Sequence, residues 1–304
     1  MKSDRKSPGK HRISAVKIIS VCFSIIIILV AALIYSLNSG IFPWDSDVSD
    51  SPYPDGAEVH FIDVGQGDST LIRTADGCIL IDAGPNSAEN TLKSYLDSLG
   101  IREIRYCIFT HPDEDHIGGG DMIMKEYDVD NVLVPDVSSD YVSYDRLMRS
   151  VSDSGAELIF ACAGQSFSVG NVTFSVLSPD ETPTDNVNNS SVIVIARIGD
   201  VSFMLQGDAE TEVEDRLIRT FSEDNLRCTV LKAGHHGSST STGEKWLDAV
   251  APDYAVISCG DGNTYGHPHL LTLTRLQKRG IRIYRTDENG SVVFYTDGNV
   301  ITVK

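Results

Sequence analysis

The amino-acid sequence predicts an αββα sandwich over residues 57–304, in which two β-sheets pack face to face with helices outside, preceded by one transmembrane helix. Three features support this prediction. Residues 18–37 are a long uncharged apolar run, residues 38–56 are rich in Ser, Asp and Pro, and from Ala57 onward short apolar strands alternate with turns. The strands fall into two runs, each followed by helices, as expected for two sheets that pack together.

The N-terminal segment predicts a signal anchor. Residues 1–17 carry six Lys or Arg and one acidic residue, and no charge occurs between Lys17 and Asp45. Twenty apolar residues in a helix rise about 30 Å, which matches the hydrocarbon core of a bilayer. Because a basic flank stays in the cytoplasm, we expect a single-pass protein of the cell membrane with a cytoplasmic N-terminus and residues 57–304 outside the cell. A cleaved signal peptide is the alternative interpretation.

Residues 38–56 predict a flexible linker between the membrane and one domain that spans residues 57–304. Within this domain, helices are expected near residues 87–100, 213–221, 243–250 and 268–278. The chain has six cysteines and no Cys-x-x-Cys pair, and four of the cysteines lie in apolar strand-like runs. We therefore expect buried free thiols rather than a disulfide framework or a zinc ribbon.

One segment carries four candidate metal ligands within six residues, namely His111, Asp113, Asp115 and His116. An apolar β-run ends at His111, and Pro112 disfavours helical geometry at that residue, so a tight turn is expected. Two imidazoles and two carboxylates at a strand end are typical of a metal site, because isolated charges there would be costly. A solvated polar loop is the alternative, but the density and order of the four residues favour metal binding.

Asp208 and the pair His235–His236 also follow predicted strands. A lone Asp between a strand and a helix is commonly a helix cap, and this alternative stays open for Asp208. Adjacent side chains of an extended segment point to opposite sides, so only one of the two histidines is expected to hold a given metal ion. We favour His235 as the ligand, with His236 behind it or facing the substrate.

Six further segments, taken with the histidine- and aspartate-rich turn, resemble the metallo-β-lactamase superfamily in the form found in the hydrolase domain of the ComEC/Rec2 competence proteins. These segments follow one another in the order expected for that family, and together they span nearly all of residues 57–304. They are Phe61–Asp68, Ile81–Gly84, Asn188–Ser191, Leu205–Asp208, Leu231–Ser238 and Tyr265–His269. The resemblance implies a metallo-β-lactamase-fold hydrolase domain over residues 57–304.

The resemblance also implies a site with two divalent metal ions, Zn²⁺ or Mn²⁺, and assigns roles to its residues. The implied metal ligands are His111, Asp113, Asp115, His116, Asp208 and His235. Asp208 takes the position of a carboxylate that bridges two metals. Asp115 and His267 are the expected catalytic residues, Asp115 because it can orient the attacking water and His267 because it can contact the substrate.

Two departures from the commoner family pattern bear on the metal. Asn188 and Asn189 stand where zinc-dependent relatives supply a histidine, and Asp113 also stands where a histidine is commoner. Both changes replace nitrogen with oxygen, so an oxygen-tolerant ion such as Mn²⁺ is as acceptable as Zn²⁺. A further group is expected to contact substrate or to support the ligands: Asp63, Asp68, Asn188, Asn189, Lys232, His236 and Ser238.

The expected reaction is hydrolysis of a phosphodiester or phosphate-ester bond by metal-activated water. The chain has no Gly-x-Ser-x-Gly segment, which disfavours a covalent serine mechanism. The whole chain carries a net charge of −18 although residues 1–17 are basic, so the remainder repels long polyanions. A small phosphodiester or a nucleotide therefore fits better than long duplex DNA. The alternatives are a non-catalytic metal-binding or interaction protein of the same fold, and hydrolysis of another ester or amide such as a β-lactam.

Overall fold

A computed structural model describes residues 56–180, 182 and 184–304. Its strands, in chain order, are β1 (Ala57–Phe61), β2 (Thr70–Thr74), β3 (Gly77–Ile81), β4 (Glu103–Ile108), β5 (Asp128–Pro135), β6 (Glu157–Ala161), β7 (Ser166–Val169), β8 (Val172–Ser178), β9 (Ile193–Ile198), β10 (Val201–Leu205), β11 (Val230–Lys232), β12 (Tyr254–Ile257), β13 (Arg282–Arg285), β14 (Val292–Thr296) and β15 (Ile301–Val303). They form an eight-stranded sheet in the order β15-β14-β1-β2-β3-β4-β5-β6 and a seven-stranded sheet in the order β13-β12-β11-β10-β9-β8-β7.

Each helix except the last lies between two strands of the same sheet. They are α1 (Glu89–Ser98), α2 (Glu114–Ile117), α3 (Gly120–Glu126), α4 (Val142–Ser154), α5 (Thr211–Thr220), α6 (Glu223–Leu226), α7 (Glu244–Val250), α8 (Leu270–Lys278) and α9 (Thr286–Asn289). Short 3₁₀ turns occur at Asn86–Ala88, Val187–Ser190 and His235–Gly237. The mixed α/β fold with two sheets agrees with the sequence prediction.

Three apolar clusters hold these layers together. The central cluster lies between the two sheets and includes Phe61, Phe174, Phe203 and Phe294. A second cluster packs α1 and α3 on the eight-stranded sheet, and a third packs α5, α7 and α8 on the seven-stranded sheet. A helix that buries one apolar stripe on a sheet face is the arrangement expected from amphipathic segments.

The direction of the strands decides where the polar loops meet. Strands β3 to β6 run parallel to one another, as do β10 to β13. The carboxyl ends of parallel strands lie at one edge of a sheet, which is where ligand sites of α/β sheets form. The residues that follow β3, β4, β10 and β11 therefore gather at one edge of the sandwich.

The predicted elements agree with the structure at most positions, and the differences have simple causes. The helix expected near 87–100 is α1, preceded by a 3₁₀ turn. Residues 292–303 form the hairpin of β14 and β15, in which Gly298 takes a φ of +94° at the turn. Helix α4 was not predicted, because its short apolar stripe of Leu147 and Val151 is surrounded by Ser and Asp.

Two further sequence predictions concern thiols and the membrane. Among the described residues, Cys78, Cys107, Cys228 and Cys259 are buried free thiols, as expected, and Cys162 is an exposed one. No helix in this part of the chain combines the length and the apolar character needed to cross a bilayer. The predicted tail (1–17), signal anchor (18–37) and linker (38–56, apart from residue 56) lie outside the described residues.

Candidate metal centre

Four side chains from three different loops form what we call the inner cluster: Asp115, His116, Asp208 and His236. Nε2 of His116 lies 3.3 Å from Nε2 of His236 and 3.2 Å from Oδ1 of Asp208. Nε2 of His236 lies 3.4 Å from Oδ2 of Asp208 and 3.1 Å from Oδ2 of Asp115. Two imidazole nitrogens and two carboxylates thus converge on one small volume, with only Asp115 partly exposed.

The far side of each imidazole fixes which nitrogen faces this volume. Nδ1 of His116 is 2.7 Å from Oδ2 of Asp82, and Nδ1 of His236 is 2.9 Å from the carbonyl oxygen of Ser258. Because both partners are acceptors, each Nδ1 donates its proton outward, and each Nε2 faces the inner cluster. With neutral rings, two Nε2 lone pairs that face each other at 3.3 Å repel unless a cation lies beside them, and with protonated rings the two positive charges repel instead. The donor set therefore fits a metal ion, with hydrogen bonds behind it that orient the ligands.

The electrostatics of the inner cluster favour positive charge. Burial opposes protonation of His116, yet Asp208 and Asp82 raise its pKa well above the usual value. Burial likewise opposes protonation of His236, but Asp208 and Asp68 raise its pKa to about 10. Burial alone would raise the pKa of Asp208, and the two imidazolium charges instead lower it well below its usual value. A proton on these imidazoles does the same electrostatic work that a divalent cation would do.

His111 and Asp113 form a second group, which we call the outer pair. The His111 imidazole is fully buried, and its Nδ1 lies 3.0 Å from Oγ1 of Thr110. Its Nε2 makes no hydrogen bond within the described part of the chain and lies 3.6 Å from Oδ2 of Asp113. The ring centroids of His111 and His116 are 4.2 Å apart, so the outer pair adjoins the inner cluster. A buried nitrogen without a partner, beside a carboxylate, fits a second cation.

The side chain of Asn189, which the family resemblance placed at the site, is hydrogen-bonded to other groups. Oδ1 of Asn189 accepts a hydrogen bond from the backbone nitrogen of Glu210 at 3.0 Å, and its Nδ2 donates to Glu212 at 3.2 Å. The backbone nitrogen of Asn188 donates to Oδ1 of Asn186 in a local turn. The Asn189 amide therefore supports the start of α5, which leaves the outer pair with fewer ligands than the inner cluster.

The two adjacent histidines exchange the positions expected for them. Both take left-handed backbone conformations, with φ of 50° for His235 and 52° for His236. The segment is therefore not extended, and the alternation of side chains that favoured His235 does not apply. His236 is buried in the inner cluster, whereas Nε2 of His235 is 3.7 Å from Asp208 and its Nδ1 faces Thr240 at 3.2 Å. The geometry thus favours His236 over His235 as the ligand.

Asp68 and Lys232 lie directly behind the inner cluster. Both are buried, and the Lys232 ammonium contacts the Asp68 carboxylate. Asp68 is near enough to be grouped with His116, Asp208 and His236, whose ligand atoms all lie within 4.8 Å of one another. However, the Asp68 carboxylate approaches both imidazoles at their Nδ1 atoms, at 3.7 Å, and not at the paired Nε2 atoms. Burial lowers the pKa of Lys232, and the charges of Asp68 and Asp208 more than restore it.

The side chains of two other predicted site residues make hydrogen bonds within their own loops. Oδ1 of Asp63 accepts a hydrogen bond from the backbone nitrogen of Gly65, and Oγ of Ser238 contacts Oγ1 of Thr240 at 3.1 Å. In contrast, Asp82 holds His116 and was not among the predicted site residues. Its position directly after β3, two residues before Gly84, was a usable signal, because it has the same strand-end placement as Asp208.

His267 comes from the loop between β12 and α8 and lies beside the inner cluster. The Asn263 side chain fixes this loop, since it accepts from the His267 nitrogen at 3.0 Å and donates to the His267 oxygen at 2.6 Å. The His267 ring centroid is 5.5 Å from that of His235 and 6.1 Å from that of His236. Burial and the charge of His236 lower its pKa to about 4, so His267 is neutral at neutral pH. The Tyr265 ring stacks on it at 5.6 Å.

Comparisons with known proteins agree with this geometry. Residues 62–261 match the family model described as the metallo-beta-lactamase superfamily. The chain is 32% identical over 255 residues to ComE operon protein 3 of Bacillus subtilis (strain 168), which covers 78% of this chain and 33% of that protein. It is 33% identical over 240 residues to recombination protein 2 of Haemophilus influenzae, which covers 77% of this chain and 28% of that protein. The chain thus spans about a third of the length of these relatives.

A solved structure supports the fold alone. The metallo-beta-lactamase fold protein YhfI from Bacillus subtilis superposes with a TM-score of 0.55 at 11% sequence identity, covering 80% of this chain and all of that chain. The same architecture therefore persists where little sequence identity remains. The resemblance inferred from the seven motif segments is confirmed by the family model and by the competence-protein relatives.

Proposed function

The chain belongs to the metallo-β-lactamase superfamily, and we propose that it is a metal-dependent hydrolase of phosphodiester or phosphate-ester bonds. The observation that carries this proposal is the convergence of Nε2 of His116 and Nε2 of His236 with the carboxylates of Asp115 and Asp208. We propose that the inner cluster holds one divalent ion and the outer pair a second, with Asp208 between them. Zn²⁺ and Mn²⁺ are both compatible with this mixture of nitrogen and oxygen donors.

The chemistry of such a centre divides between the ions and the protein. A bound pair of divalent ions lowers the pKa of a water and stabilises the charge that develops on a phosphoryl group. Burial would raise the pKa of Asp115, but its hydrogen bond with His236 and the charge of His116 lower it far below the usual value. Asp115 is therefore ionised at neutral pH, and its partly exposed carboxylate can orient a water and accept its proton.

His267 supplies a neutral imidazole at the opening of the site. Because its pKa is lowered to about 4, the ring is uncharged at neutral pH and offers one N–H donor and one acceptor. We propose that it donates to an oxygen of the substrate. The two hydrogen bonds with Asn263 fix the backbone that carries this ring.

The substrate proposal combines the relatives with the charge of the chain. The relatives are described as competence and recombination proteins, which points to a phosphodiester substrate. The chain has 43 acidic and 25 basic residues, so a long polyanion would be repelled beyond its contact with the metal centre. We therefore propose a small phosphodiester or a nucleotide as the substrate.

We also propose that residues 18–37 anchor the chain in the cell membrane with the hydrolase domain outside. The support is the uncharged apolar run behind a basic tail. External protease added to intact cells should then remove the domain and leave a short membrane-held stub. Protection of the domain in intact cells, with cleavage only after lysis, would reverse the proposed orientation.

Steady-state kinetics test the enzymatic proposal. The full chain in detergent micelles, loaded with Mn²⁺ or Zn²⁺, should hydrolyse bis(4-nitrophenyl) phosphate and a dinucleotide. Asp115→Asn should lower kcat about 10²–10⁴-fold, because the proton acceptor is lost. Glu114→Gln changes a carboxylate in the same turn and is the matched control. Wild-type protein that binds both ions and hydrolyses neither compound would contradict the proposal and favour a metal-binding protein of the same fold.

His267→Ala separates contact with the substrate from metal binding. If the imidazole contacts the phosphoryl group mainly in the transition state, kcat should fall; if the contact is equal in both states, KM should rise. The metal content should be unchanged in either case, because His267 lies outside the inner cluster. Full activity of His267→Ala would remove this residue from the catalytic proposal and leave the metal centre intact.

A further inference from the structure

A lysine ammonium is buried between two carboxylates at the metal centre. Lys232 ends the central strand β11, and its side chain is 4% exposed. The ammonium contacts Oδ2 of Asp68, donates to the carbonyl oxygen of Gly207 at 3.2 Å, and lies 3.9 Å from Oδ1 of Asp208. Asp208 is the inner-cluster carboxylate that faces both Nε2 atoms. The position of the ammonium therefore bears directly on how much of the Asp208 charge is available to another cation.

Neither imidazole is hydrogen-bonded to Asp68. His116 already donates its Nδ1 proton to Asp82, and His236 donates its Nδ1 proton to the carbonyl oxygen of Ser258. At 3.7 Å from each Nδ1, the Asp68 carboxylate is too far for a hydrogen bond to either ring. Its close approaches to the two rings are at their Nδ1 atoms, whereas those of Asp208 are at the paired Nε2 atoms. The close partner left for Asp68 is the ammonium of Lys232.

Loss of the Asp68 charge would leave Asp208 as the nearest carboxylate to that ammonium, with Asp82 farther away. A buried unpaired charge is strongly unfavourable, and the long lysine stem can move its head by the short distance needed. Asp208 is 3.9 Å away before any movement. An ammonium paired with Asp208 would repel a cation in the inner cluster, because charges this close interact strongly when buried.

We propose that Asp68 is a positioning residue that anchors the Lys232 ammonium away from Asp208, and that this anchoring, rather than direct ligation, is how Asp68 supports metal binding. Asp68 thus acts on the ion through Lys232. The proposal concerns the metal centre alone and does not depend on which bond the protein hydrolyses.

A charge-neutral double variant tests this proposal. The measurement is the dissociation constant for Mn²⁺ and for Zn²⁺, obtained by competition with a chelator, on the full chain in detergent micelles. Asp68→Asn should weaken binding about 10–100-fold, the usual loss for a residue that supports a ligand. Adding Lys232→Met to Asp68→Asn should restore binding to within about 3-fold of wild type, because no ammonium is left to occupy Asp208.

Two outcomes would overturn the proposal. If Asp68 were a direct ligand, the double variant would stay as weak as Asp68→Asn, since removing the lysine cannot replace a lost donor. If Asp68→Asn bound metal as tightly as wild type, the anchoring role would be absent. If Asp68→Asn does not fold, the double variant is sufficient for the test. A protein in which neutral groups of similar size replace a buried ion pair generally still folds.

A surface ion pair provides the matched control. Lys245 and Asp215 form an exposed pair at 3.3 Å, and Lys245→Met with Asp215→Asn makes the same changes of charge there. This control should leave both dissociation constants unchanged, and thermal melting in excess chelator reports the folding of each variant. The variants could show the expected metal affinities while the wild-type protein hydrolyses no phosphodiester. That result would contradict the proposed function and support the anchoring role.

Discussion

The inner cluster and the outer pair meet at the same edge of the two sheets, but their donor atoms are held differently. In the inner cluster, His116 and His236 each have Nδ1 bound to an acceptor, so that each Nε2 points at Asp208. In the outer pair, Nε2 of His111 and Oδ1 of Asp113 are buried and make no hydrogen bond among the described residues. One group is complete as a ligand set, and the other is short of donors.

The difference between the inner cluster and the outer pair arises from a few individual residues. Asp82 and Ser258 support the inner imidazoles, whereas the Asn189 amide is hydrogen-bonded to Glu210 and Glu212 at the start of α5. Donor number and orientation set metal affinity more than the presence of a motif does. We therefore expect the inner ion to bind more tightly than the outer ion, and the following changes test that expectation.

The largest effect is expected from Asp208→Ala, since Asp208 faces both inner imidazoles. Elemental analysis of wild-type protein should find about two transition-metal ions per chain, and the variant should retain one or none. Its kcat/KM on a phosphodiester should fall about 10³-fold or more, because ion and ligand are lost together. Full metal occupancy in Asp208→Ala would show that Asp208 is not a metal ligand and would remove the distinction between the two groups.

The adjacent histidines should differ in effect although they are neighbours in the chain. His236→Ala removes an inner ligand and should weaken metal binding by at least about 10–100-fold. His235→Ala should change it by less than about 3-fold, because its imidazole is 3.7 Å from Asp208 and partly exposed. Chelator competition on both variants measures this directly. Equal losses would place both histidines at the metal and contradict the assignment of His236.

One buried carboxylate outside the metal centre should contribute to stability in the opposite pH sense to Asp208. Glu214 in α5 accepts hydrogen bonds from Gln206 and from the backbone nitrogens of Thr242 and Gly243, and burial nevertheless raises its pKa to about 7. A raised acid pKa adds stability that is full below the unfolded pKa of 4.5 and is lost as pH rises through 7.

The matching measurement is chemical denaturation at pH 5 and pH 8 in excess chelator, which removes any linkage to metal. The free energy of unfolding of the wild type should fall by about 2 kcal/mol more than that of Glu214→Gln over this range. The metal content of Glu214→Gln should match the wild type, unlike that of Asp208→Ala. An equal pH response in both proteins would mean that Glu214 is ionised throughout.

The smallest effect is expected from Asn189→Ala. The substitution removes the hydrogen bond to the Glu210 nitrogen at the start of α5, which should cost about 1 kcal/mol of unfolding free energy. Metal content should not change, because the amide is hydrogen-bonded to other groups. Loss of one ion in this variant would show that Asn189 belongs to the outer site and that the two groups are more alike than their geometry indicates.

The sequence predicted the secondary-structure elements and which residues lie at the same edge of the two sheets. Strand-end histidines and carboxylates, together with the order of the seven motif segments, were enough to predict two sheets and to place His111, His116 and Asp208 together. Asp82 was missed because a lone aspartate near a glycine is common in turns, and its partner His116 lies 34 residues along the chain. Similarly, the role of Ser258 depends on a backbone carbonyl, which side-chain chemistry does not reveal.

The sequence by itself determined the composition of the site, because a strand end, a proline after His111 and a glycine run are local features that act on the backbone regardless of what packs against it. The tertiary structure alone decided which donors converge. His235 and His236 are chemically identical neighbours, and the left-handed turn imposed on both by the surrounding loops sends only His236 into the inner cluster. The tertiary structure likewise decided the orientation of the Asn189 amide, through its hydrogen bond at the start of α5, and the partner of Asp68, which is the buried ammonium of Lys232. Each of these partners comes from a distant part of the chain.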